Sequence, residues 1–195
     1  MPSQEAAHEV MCNGVRMVVT RGDITRQDTD AIVNAANSAL RPGAGVDGAI
    51  QAAAGPELLR EREEARRRLG GSLTTGAAVS TGPGRLGVKR IIHTAGPMWN
   101  GGGRGEREAL ASSYRECLRV AKAEGLESVA FPSVSTGIYG YPPTEAATVA
   151  VETVSAELRA DAGSLREVRF VLFDERTLRV FLTALNDVCG GGGGE

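Results

Sequence analysis

The sequence predicts an α/β protein: a three-layer α/β/α sandwich around a mixed, centrally parallel sheet. Two observations carry that expectation. Apolar runs of strand length alternate with longer segments of helical character, and two of those runs pass directly into a glycine-rich loop followed by a helix start. In such sheets the loops gather at the carboxyl ends of the strands, where α/β proteins hold their ligands.

In order, residues 1–14 form a polar N-terminal tail or edge segment, and Val15 to Thr20 read as a strand ending in Arg21-Gly22-Asp23-Ile24-Thr25. Ala31-Ile32-Val33 fit a buried strand that continues through Asn34 and Asn37 into a glycine loop, Pro42 to Gly48. Helix formers follow from Ala49 to Ala54, and Pro56 opens a charged helix to about Leu69, stopped by Gly70-Gly71. Strands are expected at Ala77 to Thr81 and Lys89 to Ala95, then a flexible loop from Trp99 to Gly105. Leu110, Tyr114, Cys117, Leu118 and Ala121 are spaced by threes and fours, which makes Glu106 to Glu124 an amphipathic helix. Ser128 to Pro132 is a short buried strand that delivers a second glycine loop, Ser133 to Tyr141. Pro142-Pro143 then open a helix over Thr144 to Leu158. A last strand, Glu167 to Phe173, and a helix from Asp174-Glu175 to near Val188 complete one domain over 15–188, with a flexible glycine-rich tail at 189–195.

Composition narrows the function. The chain is 42% hydrophobic and 24% charged, with a net charge of −2 and interspersed signs, so no electrostatic case exists for nonspecific nucleic-acid binding. No apolar run is long enough to span a bilayer, and the first residues lack the pattern of a signal peptide; a cytoplasmic protein is expected. Three widely spaced cysteines and two histidines show neither a disulfide framework nor metal-ligand spacing. Only Lys89 and Lys122 among 22 basic residues are lysine, a coding bias that suggests a bacterial source. The run Arg60 to Arg68 reads as a solvated helix face with i,i+4 pairs.

The chemistry lies in the loops. A strand, a glycine loop and a helix start present free backbone N–H groups and a dipole that favours negative charge, so each loop suits a phosphate and the two together suit a diphosphate. Asp47 is then either a helix cap or a group that handles a proton beside the phosphates. Asn37 either closes an Asx-turn or faces a sugar hydroxyl, and Asp23 either caps a turn or accepts from an amino group such as that of adenine. Tyr139, between Gly137 and Gly140, is placed for ligand contact, and Phe173 is either core or a face for stacking a base. Ser135-Thr136-Gly137 lacks the elbow and partnered base of a nucleophilic serine; its hydroxyls and N–H groups serve phosphate instead. His93, in an apolar run, reads as a hydrogen-bonded core histidine rather than a base.

Together, G-D-I-T (Gly22 to Thr25), D-A-I-V-N-A-A-N-S-x-L (Asp30 to Leu40), G-x-G-V-D-G-A-I-x-x-A-A-G (Gly43 to Gly55), I-I-H-T-A-G-P-x-W (Ile91 to Trp99) and A-F-P-S-V-S-T-G-I-Y-G-Y-P (Ala130 to Pro142) resemble the macro domain family. The resemblance covers nearly all of Val15 to Val188. It implies ADP-ribose as ligand, with adenine held by Asp23; Ile24 and Phe173 are further candidate ligand-binding residues. The diphosphate would lie between Gly45-Val46 and Ser135, Thr136, Gly137, Ile138 and Tyr139, and the distal ribose near Asn37 and Asp47. Asp47 in V-D-G resembles the MacroD-type hydrolases, which remove mono-ADP-ribose from acidic side chains and deacetylate O-acetyl-ADP-ribose. The resemblance therefore implies a metal-independent hydrolase without cofactor. Asn37 would orient the ribose and Asp47 would act as general base. Its partners would be ADP-ribose and mono-ADP-ribosylated proteins, with nucleic acid entering only as an ADP-ribosylated substrate, and the protein would be a monomer. A non-catalytic ADP-ribose reader and a hydrolase of ADP-ribosylated nucleic acid are the alternatives. Two departures from the family pattern stand out: Arg41-Pro42-Gly43-Ala44-Gly45 where a glycine run is common, and Gln51-Ala52 where His-Arg is common.

Overall fold

The computed structural model describes residues 7–190. Seven strands form one sheet: β1 (His8–Cys12), β2 (Val15–Arg21), β3 (Ala31–Ala36), β4 (Ala78–Thr81), β5 (Arg90–Ala95), β6 (Ser128–Phe131) and β7 (Glu167–Leu172), in the order β1-β2-β7-β6-β3-β5-β4. The five central strands run parallel, and only the edges are antiparallel, β1 on β2 and β4 on β5. The mixed, centrally parallel sheet is thus the one expected.

Helices cover both faces. On one side α1 (Gly45–Ala54) and α2 (Pro56–Arg68) bury Ile50, Ala54, Leu58 and Ala65. On the other, α3 (Glu106–Ala123), α4 (Pro143–Ala160) and α5 (Glu175–Cys189) close over the larger core, where the rings of Tyr114, Phe131, Phe170 and Phe181 meet in a chain with centroids 5.1 to 6.0 Å apart. Rings at these separations, tilted by 31° to 47°, gain from ring–ring contact as well as from buried area. Sheet strands buried on both faces explain why the central runs are continuously apolar instead of alternating.

His8–Cys12 is a paired edge strand, the edge alternative expected within residues 1–14. The structure corrects three local expectations. The first loop's helix begins at Gly45, four residues earlier than the run of helix formers, which puts Asp47 inside its first turn. The Trp99 to Gly105 loop is tied down: the Glu106 carboxylate accepts from the backbone N–H groups of Asn100 (3.3 Å), Gly102 (2.6 Å) and Arg104 (2.6 Å). Burial pushes the Glu106 carboxyl up, but those three donors outweigh it and hold it below its ordinary range. Last, α5 runs through Cys189, so the predicted flexible tail does not start there; residues 191–195 lie outside the described residues. Among the described residues, no helix is long and apolar enough to cross a membrane.

Candidate functional site

Because β2, β7, β6, β3 and β5 are parallel, their carboxyl ends share one edge of the sheet. In spatial order they deliver Asp23, Phe173, the Ser133 to Tyr139 loop, the Asn37 to Asp47 loop and Gly96. Three strand spacings of about 4.8 Å separate the first of these from the fourth, roughly 14 Å in all. A cleft of about 220 Å³ opens between the two glycine loops, lined by Asn37, Gly45, Val46 and Asp47 on one side and by Ser135, Gly137, Ile138 and Tyr139 on the other. The N-terminus of α1 faces it from the first loop, and Gly45 takes a positive φ of 61° there. The two loops inferred from sequence are therefore walls of one cavity.

Asp47 is 4% exposed and does not cap its helix. Its Oδ1 accepts from Asn34 Nδ2 (2.9 Å) and Arg62 Nη1 (2.6 Å), and its Oδ2 accepts from Arg62 Nη2 (3.0 Å) and the Gly43 N–H (3.2 Å). Four donors fill the in-plane acceptor capacity of a carboxylate. Arg62 is 1% exposed, so the reading of Arg60 to Arg68 as a solvated face fails at this residue. The sequence held a signal for it: Leu58, Arg62 and Ala65 are spaced by four and three, and the buried stripe of α2 passes straight through the arginine.

Behind Asp47 runs a second buried chain. Asn34 Nδ2 also donates to His93 Nδ1 (3.0 Å), and His93 Nε2 meets Thr81 Oγ1 (2.9 Å), whose own hydrogen goes to the Gly82 carbonyl (3.0 Å). Asn34 must present its amide to the acceptor-only carboxylate, so Nδ1 of His93 accepts and its proton resides on Nε2. Burial, then the charge of Arg62, lowers the His93 pKa to about 3 and keeps the ring neutral. His93 is the hydrogen-bonded core histidine that its apolar run predicts. It belongs to the scaffold of the site and does not line the cleft.

The remaining predicted residues divide. Asn37 lines the cleft, but its amide is engaged at both ends, Nδ2 donating to the Arg41 carbonyl (2.7 Å) and Oδ1 accepting the Arg41 N–H (3.1 Å). It closes a turn at the border of the cavity. Asp23 caps the short 3-10 turn Ile24–Arg26 through the Thr25 N–H (2.8 Å), with its side chain half exposed. The Gly22 N–H donates to the Leu172 carbonyl (3.0 Å), which sets Asp23 beside Phe173. Phe173 is 83% exposed, which settles its choice against the core. Ile24 is the opposite case: its side chain packs with Ile32, Ile50 and Val171, leaving only its backbone to face the edge. Thr136 turns inward, its Oγ1 bonded to the Ser133 carbonyl (3.1 Å) and hydroxyl (2.9 Å), and does not line the cleft.

Ser135 is 6% exposed at φ 67°, a left-handed conformation that costs a serine free energy, and its Oγ has no partner. It is packed on Gly96, whose added Cβ would lie 2.2 Å from Ser135 Oγ. Gly96 is a site residue that sequence reasoning did not single out. Ala35, Ala36 and Ala44 also line the cleft without having been foreseen. Trp99 supports the second loop from outside, donating its backbone N–H to the Tyr139 carbonyl (2.8 Å) and packing its ring 4.6 Å from that of Tyr141. No cluster of three or more metal-ligating side chains occurs among the described residues.

The arrangement can hold a bent diphosphate between two backbone cradles, with an aromatic face at one end and a buried, charge-paired carboxylate at the other. Comparison with known proteins agrees. The model of the Macro domain family matches residues 33–150. A Salmonella typhimurium protein named O-acetyl-ADP-ribose deacetylase is 49% identical over 170 residues, spanning 87% of this chain and 94% of its own. An Oceanobacillus iheyensis macrodomain solved with ADP superposes with a TM-score of 0.90 at 41% identity, covering 95% of this chain and 98% of that one. A Trypanosoma brucei macrodomain in complex with ADP-ribose gives 0.79 at 34% identity, covering 87% and 68%.

Proposed function

The chain belongs to the macro domain family, and from that premise we propose that it binds ADP-ribose and hydrolyses it from modified acidic side chains of proteins, with O-acetyl-ADP-ribose as a second ester substrate. The observation that carries the proposal is the order of groups along one sheet edge. Asp23 and Phe173, then the two glycine loops, then Asn37 and Asp47 match a base, a diphosphate and a distal sugar in sequence.

Phe173 stacks the adenine and Asp23 accepts from its amino group. Backbone N–H groups of Gly45, Val46, Gly137, Ile138 and Tyr139 hold the diphosphate oxygens without mobile counter-charges, so little reorganisation is needed at reaction. Pairing with Arg62 matters here, because an isolated carboxylate at the cleft wall would repel the diphosphate. Asn37, already fixed by Arg41, orients the distal ribose through its hydroxyls.

One water attacks the anomeric carbon. Its oxygen bonds to that carbon as the bond from the carbon to the carboxylate oxygen breaks, and the electron pair leaves with the carboxylate. That leaving group is the conjugate base of an acid with a pKa near 4, so it departs without a proton. The water's proton passes to Asp47 or to a ligand phosphate oxygen beside it. On Asp47 the water enters at Oδ2 in place of the Gly43 N–H, whose contact is the longest of the four. General-base assistance of this kind contributes about 10²–10⁴-fold, and positioning supplies much of the remainder.

The deciding experiment compares parent and Asp47→Ala for ADP-ribose affinity and for release of ADP-ribose from a protein modified on glutamate. The expected result, measured at saturating substrate, is release slowed by at least about 10²-fold. Equal release by both removes Asp47 from the chemistry. A parent that binds tightly and releases nothing from protein or O-acetyl-ADP-ribose is a reader.

A further inference from the structure

Arg62 lies outside the cleft loops, yet it grips the first of them at both ends. From α2 its Nε donates to the Leu40 carbonyl (2.9 Å) and its Nη2 to the Arg41 carbonyl (3.0 Å), while Nη1 and Nη2 hold the two oxygens of Asp47 at 2.6 and 3.0 Å. Leu40 sits at φ 53°, a left-handed conformation that a leucine rarely adopts, where the chain turns from β3 into the loop. One planar fork therefore joins the strained entry of the loop to the carboxylate at its exit. The rest of the loop closes against the same carboxylate: Gly43 donates to it, and a Cβ on Gly48 would meet the Gly43 carbonyl at 2.7 Å. From the opposite side, Asn34, His93 and Thr81 fix Asp47 through a chain that ends on the edge strand β4.

We infer that Arg62 is a positioning residue of this site: acting through Asp47 and through the Leu40 and Arg41 carbonyls, it holds the first glycine loop in the shape that receives the diphosphate and the distal ribose. The geometry needs a guanidinium. Four acceptors in two directions are met by one rigid five-donor group, and a lysine ammonium has three donors at a single point. Gln51 adds to the fit, its Oε1 lying 3.5 Å from Arg62 Nη1 while its Nε2 donates to the Gly55 carbonyl. The turnover part of this inference rests on the hydrolase reading above; the binding part does not.

The test uses the full chain with Arg62→Met, Arg62→Lys, Asp47→Asn and the Asp47→Asn/Arg62→Met pair, each assayed well below its own melting temperature. ADP-ribose affinity is measured by calorimetry and turnover on O-acetyl-ADP-ribose. Arg62→Met is expected to lower kcat by about 10- to 100-fold, the scale of a loop misplaced by an ångström. Added guanidinium ion should restore part of that loss and leave the parent unchanged, and Arg62→Lys should recover little of it. The losses in the double variant should fall well short of the product of the single ones, because both residues act on one loop. A folded Arg62→Met with parent kcat and parent affinity overturns the inference, as does a double variant whose losses multiply. Should Arg62→Met not fold, Arg62→Lys decides: parent kcat and affinity in it overturn the inference. If the parent itself releases nothing, the hydrolase reading fails, and Arg62 is judged on ADP-ribose affinity alone.

Discussion

Replacing Gly96 with alanine adds a single methyl group outside both glycine loops, and it should still damage the site. The new Cβ would stand 2.2 Å from Ser135 Oγ and 2.7 Å from Val134 Cγ1, where ordinary contacts begin near 3.4 Å. Ser135 can rotate its hydroxyl away. Val134 cannot, since it is buried in the core that α3 and α4 complete. The backbone between them has little freedom, because Ser135 is held at φ 67° by the Tyr141 N–H on its carbonyl at 2.9 Å. Roughly an ångström of overlap must therefore move the second loop away from the first, at an overpacking cost of about 1–3 kcal/mol. For a chain of this size that cost lowers Tm by about 2–12 °C. The same displacement pulls the Gly137 to Tyr139 amides off the diphosphate and should weaken ADP-ribose binding by up to about 10²-fold. Calorimetric titration and a thermal melt read both numbers. A Gly96→Ala protein with the parent's Kd and a Tm within a degree of it would refute the claim that this glycine sets the separation of the two cradles. Adding Ser135→Ala to it should recover part of the stability and little of the affinity.

Three further outcomes are expected. Phe173→Ala should leave Tm unchanged, since the ring is exposed, and cost about 1–3 kcal/mol of ADP-ribose affinity, the worth of one stacked base; calorimetry with parent affinity would remove Phe173 from the site. His93, with its pKa lowered from 6.5 to about 3, refuses in the folded state a proton that the unfolded chain accepts, so its stability contribution is complete above pH 6.5 and is lost as pH falls toward 3. Denaturant titrations should show about 1.4 kcal/mol lost per pH unit in that window, a slope one proton shallower in His93→Gln. Glu106→Gln should speed hydrogen exchange at the Gly102 and Arg104 amides with ADP-ribose affinity unaffected; unchanged exchange would show that the loop is ordered by something else.

Much of this was legible in the chain as written. Alternation of apolar runs with helical spacing gave the layers, and the two strand-loop-helix junctions gave the cleft walls, because periodicity and turn chemistry act over a few neighbouring residues. Strand limits fell within a residue or two for β2, β5, β6 and β7. The helix start at Gly45 was missed since a glycine loop conceals a first turn that packing, not propensity, stabilises.

What the tertiary structure alone decided is partnership. Asp47 could be recognised as an acid out of place beside phosphates, but only the fold brings it Arg62 from the next helix and Asn34 from the strand beneath, and so turns a free carboxylate into a clamped one. Arg62 sat among four other arginines and three glutamates between Arg60 and Arg68, with nothing local to mark it as the buried member except a stripe spacing it shares with Leu58 and Ala65. The same holds for Gly96, an unremarkable residue in sequence whose missing Cβ lets Ser135 close over it. A sequence records which residues prefer to be buried; which buried group meets which is fixed by strand order and helix docking, and those depend on contacts among residues far apart in the chain.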